Sequence, residues 1–116
     1  MAKLTCYGGA GNATGANFLL EVANKKILID CGMQQGGEGA HTYNRRPFAY
    51  DPATVDYLFI THAHIDHIGL IPKLVKNGFK GKIYSTSETK EIATLLLMDA
   101  VKIGRDEKSP LYTVED

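Results

Sequence analysis

Three of the four histidines in this chain lie within six residues, in the segment His62-Ala63-His64-Ile65-Asp66-His67. Neutral imidazole is a common ligand of zinc and related divalent ions, and a carboxylate among imidazoles adds a hard oxygen donor. The segment follows the apolar run Val55 to Ile60, so a strand is expected to end where the donors begin. It predicts a metal site on a loop just past a strand. A polar loop that happens to be rich in histidine is the alternative.

The spacing of the donors bears on how many ions they hold. On a regular strand successive side chains alternate between the two faces, with Ala63 between His62 and His64, and in an irregular loop both imidazoles can converge on one ion. Asp66 and His67 follow immediately and can point toward a second ion. Two neighbouring ions need more ligands than these four residues offer.

The first half of the chain reads as a series of short strands. Leu4 to Tyr7, Asn17 to Val22 and Lys26 to Ile29 are rich in strand-forming residues. A turn at residues 23–25 separates the last two strands and predicts an antiparallel start. Asp30 then follows the third strand, so its carboxylate is expected where a buried strand leaves the core, with Gly32 letting the chain swing away.

The second half alternates helices with a strand. Apolar residues recur at helical spacing from Ile68 to Val75 and stop at Asn77-Gly78, a common helix end. Lys82 to Tyr84 predicts a strand, and Ser85 with Glu88 matches a capping box. The helix that follows is expected to bury Ile92, Leu95, Leu96, Ala100 and Ile103. This order predicts an α/β fold of the α+β kind, with a mixed sheet covered by helices.

Two loops carry residues of interest. From Gly32 to about Val55 no periodicity appears, and Arg45, Arg46, Phe48 and Tyr50 make the later part basic and aromatic. Such a composition suits a phosphodiester chain and its bases, and a solvated loop held by its aromatics is the alternative. His41, isolated in this loop, is predicted to be a surface residue.

The glycine-rich segment 8–15 lacks the helix that a phosphate loop should open, so it predicts a tight loop on the active-site side of the first strands. Contact between that loop and substrate is an open alternative.

Composition narrows the class of protein. The 116 residues suit one small domain, and 13 basic residues balance 13 acidic ones, so no global positive field marks a nucleic-acid binder. No apolar run approaches the length of a membrane span, and the first residues do not resemble a signal peptide. A cytoplasmic protein is therefore expected. Cys6 and Cys31 are predicted to be reduced core thiols.

Segment 62–67 resembles the signature of the metallo-β-lactamase fold, and Ile27 to Gly32 resembles the strand-end aspartate that precedes it. The resemblance continues into the β-CASP branch, whose members process RNA or, less often, DNA. The segments that carry it are 68–74, 78–84, Thr86 with Thr89, 97–99 and 110–116.

The resemblance implies the N-terminal half of an αββα sandwich and a dinuclear zinc hydrolase. His62 and His64 would bind one zinc ion, and Asp66 and His67 the other. Asp30 would orient a ligating imidazole, and Asp66 would accept the proton in catalysis. RNA is the implied partner, with DNA less favoured.

Members of the family complete these shells with later histidine and aspartate motifs and carry an inserted domain. No histidine follows His67 in this sequence. We therefore expect residues 1–116 to be the N-terminal part of a metallo-β-lactamase-like domain, without the later motifs and without the insert. Asp99, Asp106 and Asp116 are not assigned as the bridging ligand. The chain by itself is expected to be inactive and to bind zinc weakly or not at all.

Three functional hypotheses remain open at this point. The first is that the parent protein is a zinc-dependent ribonuclease. The second keeps the fold and changes the substrate to a small ester or thioester. The third, from a different class, is a non-catalytic metal-binding fragment that forms a homodimer through the exposed sheet face of a half sandwich.

Overall fold

The computed structural model describes residues 1–11, 14–36 and 39–104. Its centre is a five-stranded mixed sheet whose spatial order follows the sequence. The first three strands are antiparallel, and the last three are parallel to one another. The strands are β1 (Lys3–Gly8), β2 (Asn17–Val22), β3 (Lys25–Ile29), β4 (Tyr57–Phe59) and β5 (Lys82–Tyr84).

The β2–β3 hairpin confirms the antiparallel start. Ala23 and Asn24 have φ angles of 50° and 61°, which match the left-handed conformations that a tight two-residue hairpin turn requires. Val22 pairs with Lys25 directly across this turn. The parallel β3–β4 pair needs a long crossover instead, and residues 30–56 supply it.

The crossover was expected to lack regular structure, and this prediction is wrong in part. It contains a short helix α1 (Ala40–Arg45) and a 3-10 turn at Pro52–Thr54. Val55 belongs to the end of the 3-10 turn, because its N–H donates to the carbonyl of Pro52, and β4 therefore starts only at Tyr57. The observed strand is therefore shorter than the predicted run from Val55 to Ile60.

The helix predicted after His67 is present but divided in two. Helix α2 (Ile65–Ile68) is a single turn, and α3 (Ile71–Lys76) follows with a proline in its first turn, where proline is tolerated. The chain leaves α3 at Asn77, and Gly78 has a φ angle of 112°, so the predicted helix end is confirmed.

The last described helix, α4 (Ser87–Gly104), starts differently from the prediction. Thr86, rather than Ser85, caps it: the Thr86 hydroxyl accepts the N–H of Thr89 at 3.2 Å. The Ser85 hydroxyl instead donates to the backbone carbonyl of Thr86. The capping pattern is thus displaced by one residue.

The predicted buried face of α4 is also partly wrong. Ile92 and Leu95 are 52% and 72% exposed, whereas Ala93 is buried. The face of α4 that packs against the core consists instead of Ala93, Leu96 and Leu97. Leu96 and Ala100 are half-buried, and the side chain of Ile103 lies outside the described part of the chain.

The core lies between one face of the sheet and the helices. Leu19, Leu28 and Leu58 are neighbours in register on adjacent strands, and each is at most 2% exposed. Ile68 and Leu74 cover them from α2 and α3. The mixed sheet with helices is therefore confirmed. None of the helices in the described segments is long and apolar enough to cross a membrane.

The opposite face of the sheet is also apolar, and in the part of the chain that the structure describes several of its side chains stay exposed. Side chains alternate along each strand, so this outer face carries the residues next to the core positions. Leu4, Phe59 and Tyr84 remain 59%, 43% and 43% exposed. Cys6 belongs to this face and is exposed, so the prediction of a core thiol is wrong for Cys6. It is right for Cys31, which is fully buried.

Candidate metal centre

The segments that carry the predicted ligands meet at one edge of the sheet. Because β3 and β4 are parallel, their carboxyl ends lie side by side. Asp30 directly follows β3, and Thr61 is the second residue of the loop after β4. His62 and His64 lie on that loop as predicted, whereas Asp66 and His67 belong to the single turn of α2.

Three of the four predicted ligands converge. One donor atom from each of His62, Asp66 and His67 lies within 4.8 Å of the other two. The His62 and His67 ring centroids are 3.9 Å apart, and His67 Nε2 is 3.6 Å from Asp66 Oδ2. Two imidazoles and a carboxylate form a donor set that suits a divalent ion such as zinc.

His64 stands apart from this group. Its ring meets the His62 ring edge-on, with centroids 4.7 Å apart, and the residue is exposed. The convergent group therefore unites His62, from one predicted pair, with both members of the other pair. The division of His62 and His64 from Asp66 and His67 between two ions remains a prediction.

Asp30 lies behind the cluster and organises it. The residue is 2% exposed. Its Oδ1 accepts the backbone N–H of Thr61 at 2.8 Å, and its Oδ2 accepts the Thr61 hydroxyl at 2.7 Å. The same Oδ2 lies 2.7 Å from Nδ1 of His67. One carboxylate thus fixes both the start of the loop that carries His62 and His64 and the ring of His67.

These contacts also assign the protons on two imidazole rings. The Asp30 carboxylate can only accept, so Nδ1 of His67 carries a proton. The Thr61 hydroxyl donates its hydrogen to Asp30, so it must accept from Nδ1 of His62, 3.0 Å away. In both histidines Nε2 is therefore the atom with a free lone pair. This is the arrangement that an outer carboxylate imposes on metal-binding histidines.

The backbone at Asp30 is itself constrained. Its φ angle of 59° lies in the left-handed region, which costs a non-glycine residue about 1 kcal/mol or more. Two groups support this conformation. The Asn17 side-chain amide donates to the carbonyl of Asp30 at 3.0 Å, and Tyr50 Oη donates to Asn17 Oδ1 at 3.0 Å.

Backbone hydrogen bonds join the ligand-bearing turn to the ends of two strands. Ala16 donates to the carbonyl of Asp66 at 3.0 Å, and Cys31 donates to the carbonyl of His67 at 2.9 Å. Gly32 permits this close approach, because a Cβ there would lie 1.7 Å from the carbonyl oxygen of Asp66. The positions of Asp66 and His67 are therefore set by the sheet.

Burial shifts the pKa values of three titratable groups beneath the site. Burial raises the pKa of the Cys31 thiol to about 12, and it also raises the pKa of Tyr50. Burial lowers the pKa of Lys73, which donates to the backbone carbonyls of Asn44 and Arg46. Cys31 is thus a packing residue, since a thiol binds metals as the thiolate.

The glycine-rich loop lies at the same edge of the sheet, as predicted, because it joins the end of β1 to the start of β2. Tyr43 Oη donates to the carbonyl of Gly15 at 3.1 Å, and a Cβ on Gly8 would overlap both groups. Gly8 and Gly15 are therefore packed against Tyr43 of α1. Of the predicted basic and aromatic residues, Tyr50 is buried and Arg46 is exposed.

The sequence profile of the Metallo-beta-lactamase superfamily matches residues 11–114, which include every residue of the site. The chain belongs to this superfamily. The resemblance found in the sequence is confirmed on this point. The structure agrees with it, since a motif mutant of the metallo-beta-lactamase from Cronobacter sakazakii superposes with a TM-score of 0.55. The two chains are 23% identical over 87% of this chain and 39% of the other, so this likeness concerns the fold alone.

The curated relatives bear names from RNA metabolism. Ribonuclease TTHA0252 of Thermus thermophilus is 40% identical over 98% of this chain and 25% of its own length. Transcription termination factor FttA of Methanothermobacter thermautotrophicus is 36% identical over 95% of this chain and 18% of its own length. Endoribonuclease ysh1 of Aspergillus fumigatus is 32% identical over 96% and 13%. The chain thus spans a quarter or less of the length of these relatives.

Two residues that support the site, Thr61 and Asn17, were not predicted from the sequence. Thr61 links Asp30 to His62, and Asn17 holds the backbone of Asp30. A faint signal existed for each. Thr61 directly precedes the histidine cluster, and Asn17 is a polar residue that opens an otherwise apolar strand. Neither position reveals its partner without the fold.

Proposed function

We propose that this chain carries the first metal-ligand motif of a metal-dependent ribonuclease. The convergence of His62, Asp66 and His67 in front of the buried carboxylate of Asp30 is the observation that carries this proposal. The relatives named as ribonuclease and endoribonuclease support RNA as the substrate class. Because the chain spans a quarter or less of their length, both the activity and the substrate are proposed for the whole protein.

The donor chemistry fits zinc. Catalytic zinc sites commonly use three protein ligands, and the cluster offers two imidazole nitrogens and one carboxylate oxygen. We propose two zinc ions in the complete enzyme, one held by His62 and His64 and the other by Asp66 and His67. A bound divalent ion would supply charge to polarise a phosphodiester and to lower the pKa of a water molecule.

The roles of the protein groups follow from their contacts. Asp30 keeps the proton of His67 on Nδ1 and so leaves Nε2 free to bind. Thr61 transmits the same constraint to His62. Asp66 is partly exposed beside His67 Nε2, which suits it to accept a proton as well as to bind. We propose Asp66 as the proton acceptor.

Single substitutions in the full-length protein test the function. His64→Ala and Asp66→Ala should each abolish cleavage of a labelled RNA, while RNA binding measured by filter retention persists. Asp56→Asn is a matched control, because Asp56 accepts the backbone N–H of Lys26 at the start of β4, away from the site. Undiminished cleavage by either site variant would count against the proposal. A labelled DNA of the same sequence, cleaved more slowly, would support the preference for RNA.

A second proposal concerns the 116-residue chain by itself. Its uncovered sheet face favours a non-catalytic fragment that forms a homodimer, because large exposed apolar patches promote association. Sedimentation at several concentrations should show dimer formation, and Phe59→Ser with Tyr84→Ser should abolish it. A compact monomer throughout would refute the proposal.

The metal content and location of the chain complete the proposal. Zinc should bind the isolated chain weakly, since each ion would lack part of its shell, and calorimetry showing two tight sites would contradict this. A cytoplasmic location stays a prediction. The two free cysteines, Cys6 and Cys31, are compatible with a reducing compartment.

A further inference from the structure

A cavity of about 250 Å³ opens beside the loop that follows α1. Its walls are aromatic: Tyr7, Tyr43, Phe48 and Tyr50 all line it. The Tyr50 ring packs against Tyr7 at 5.0 Å and against Phe48 at 5.4 Å between centroids. A cavity smaller than the roughly 300 Å³ typical of drug-sized ligands, walled by aromatic rings, suits one flat ring.

Two cationic groups accompany the aromatic walls. The Arg46 guanidinium lies 4.6 Å from the centre of the Tyr43 ring, and the residue is exposed. The Lys73 ammonium lies 4.7 Å from the centre of the Phe48 ring and is buried. A flat ring bonded to an anionic group would therefore meet π faces inside the cavity and a positive charge at its rim.

The cavity lies at the edge of the sheet that carries the metal centre. Tyr7 comes from the end of β1 and Asn17 from the start of β2, which is the edge where β3 ends at Asp30. The contact is direct as well, because Asn17 lines the cavity and donates to the carbonyl of Asp30. The cavity is therefore connected to the candidate metal centre through the hydrogen bond between Asn17 and Asp30.

We propose that this cavity binds one nucleotide of the RNA substrate, with its base among the aromatic side chains and its phosphate at Arg46. The proposal rests on the ribonuclease function proposed above, and it adds a subsite next to the metal centre. Stacking on aromatic rings is tolerant of sequence, since every base has a π face. The subsite should therefore hold the strand in place without selecting a particular base.

Binding of the intact protein to a labelled RNA hexamer tests this, with fluorescence anisotropy as the readout and a chelator present so that cleavage cannot occur. Phe48→Leu should weaken hexamer binding by about fivefold to a hundredfold, the range that base stacking gives. Phe48→Tyr should restore it. Lys25→Ala, at the start of β3 and at the opposite edge of the sheet, should leave the affinity unchanged.

A hexamer with the same phosphates and no bases separates the two contacts. Arg46→Ala should weaken binding of both oligomers, whereas Phe48→Leu should affect only the one with bases. Wild-type affinity in both variants, or equal wild-type affinity for the two oligomers, would overturn the proposal. Competition by AMP at a similar concentration would assign a free nucleotide as a ligand, and its failure to compete would assign the RNA strand.

The two proposals can fail separately. If the wild-type protein does not cleave RNA, the proposed ribonuclease function is refuted. The binding assay with the chelator does not depend on cleavage and still tests the subsite. Equal binding by all variants would remove the subsite while leaving cleavage intact.

Discussion

The two faces of the sheet are built from similar apolar residues but differ in their burial. On the inner face Leu28 and Leu58 are fully buried beneath the helices, whereas on the outer face Phe59 and Tyr84 stay 43% exposed. The candidate metal centre belongs to the covered side, since Ile68 of α2 is part of the core. The contrast teaches that apolar composition alone does not decide which face of a sheet becomes the core; the side on which the helices pack decides it.

Leu58 and Phe59 are adjacent in β4 and point to opposite faces, so they give the sharpest test of this contrast. Leu58→Ala should lower the free energy of unfolding by about 3 to 5 kcal/mol, because it leaves a cavity in a packed core. Phe59→Ala should lower it by about 1 kcal/mol at most, chiefly through loss of stacking on Tyr84. Urea unfolding followed by circular dichroism measures both. Equal losses would show that the outer face is covered in solution.

Substitutions of Asp30 and Asp56 test whether the edge of the sheet that carries the candidate metal centre does more than stabilise the fold. Asp30→Asn should lower zinc affinity by about tenfold to a hundredfold, since the amide no longer enforces the proton position on His67. Asp56→Asn should leave the zinc affinity unchanged and affect stability only, through its bond to Lys26. Titration with zinc in competition with a chromophoric chelator measures the affinities. Equal affinities for Asp30→Asn and the wild type would remove the orienting role.

Cys31 and Cys6 give the smallest expected effect, and it depends on pH. The folded chain keeps the Cys31 thiol protonated up to a pKa of about 12, whereas the unfolded chain loses that proton near 9.0. Stability should therefore fall as pH rises through this interval, by about 1 kcal/mol at pH 10. Cys31→Ala should remove this part of the pH dependence, while Cys6→Ala, on the exposed face, should leave it intact. Urea midpoints at pH 7 and pH 10 provide the comparison.

Whether a structural feature could be predicted from the sequence depends on how far apart its interacting residues lie along the chain. The β2–β3 hairpin depends on neighbouring residues, and the turn predicted at residues 23–25 is present at Ala23 and Asn24. The end of α3 at Asn77 was predicted for the same reason. The cap of α4 was displaced from Ser85 to Thr86, because adjacent hydroxyl residues offer similar local patterns and only the packing selects one.

Contacts between residues that are far apart in the sequence were predicted only in part. The four candidate ligands are clustered in the sequence, so the site was located before its geometry was known. The bond from Asp30 to His67 spans 37 residues, and it was anticipated only through the family resemblance. The exposure of Cys6 and Leu95 was not anticipated, because both have apolar neighbours and only the tertiary arrangement shows which side is uncovered.

The backbone bonds from Ala16 to Asp66 and from Cys31 to His67 have a consequence for conformational entropy. The turn that bears Asp66 and His67 becomes ordered when the strands assemble, so its freedom is lost during folding rather than when a ligand arrives. Binding then proceeds at a prepared turn, and most of its free energy remains available for affinity. The same bonds mean that the turn cannot fray alone, because opening it also requires opening the ends of β2 and β3.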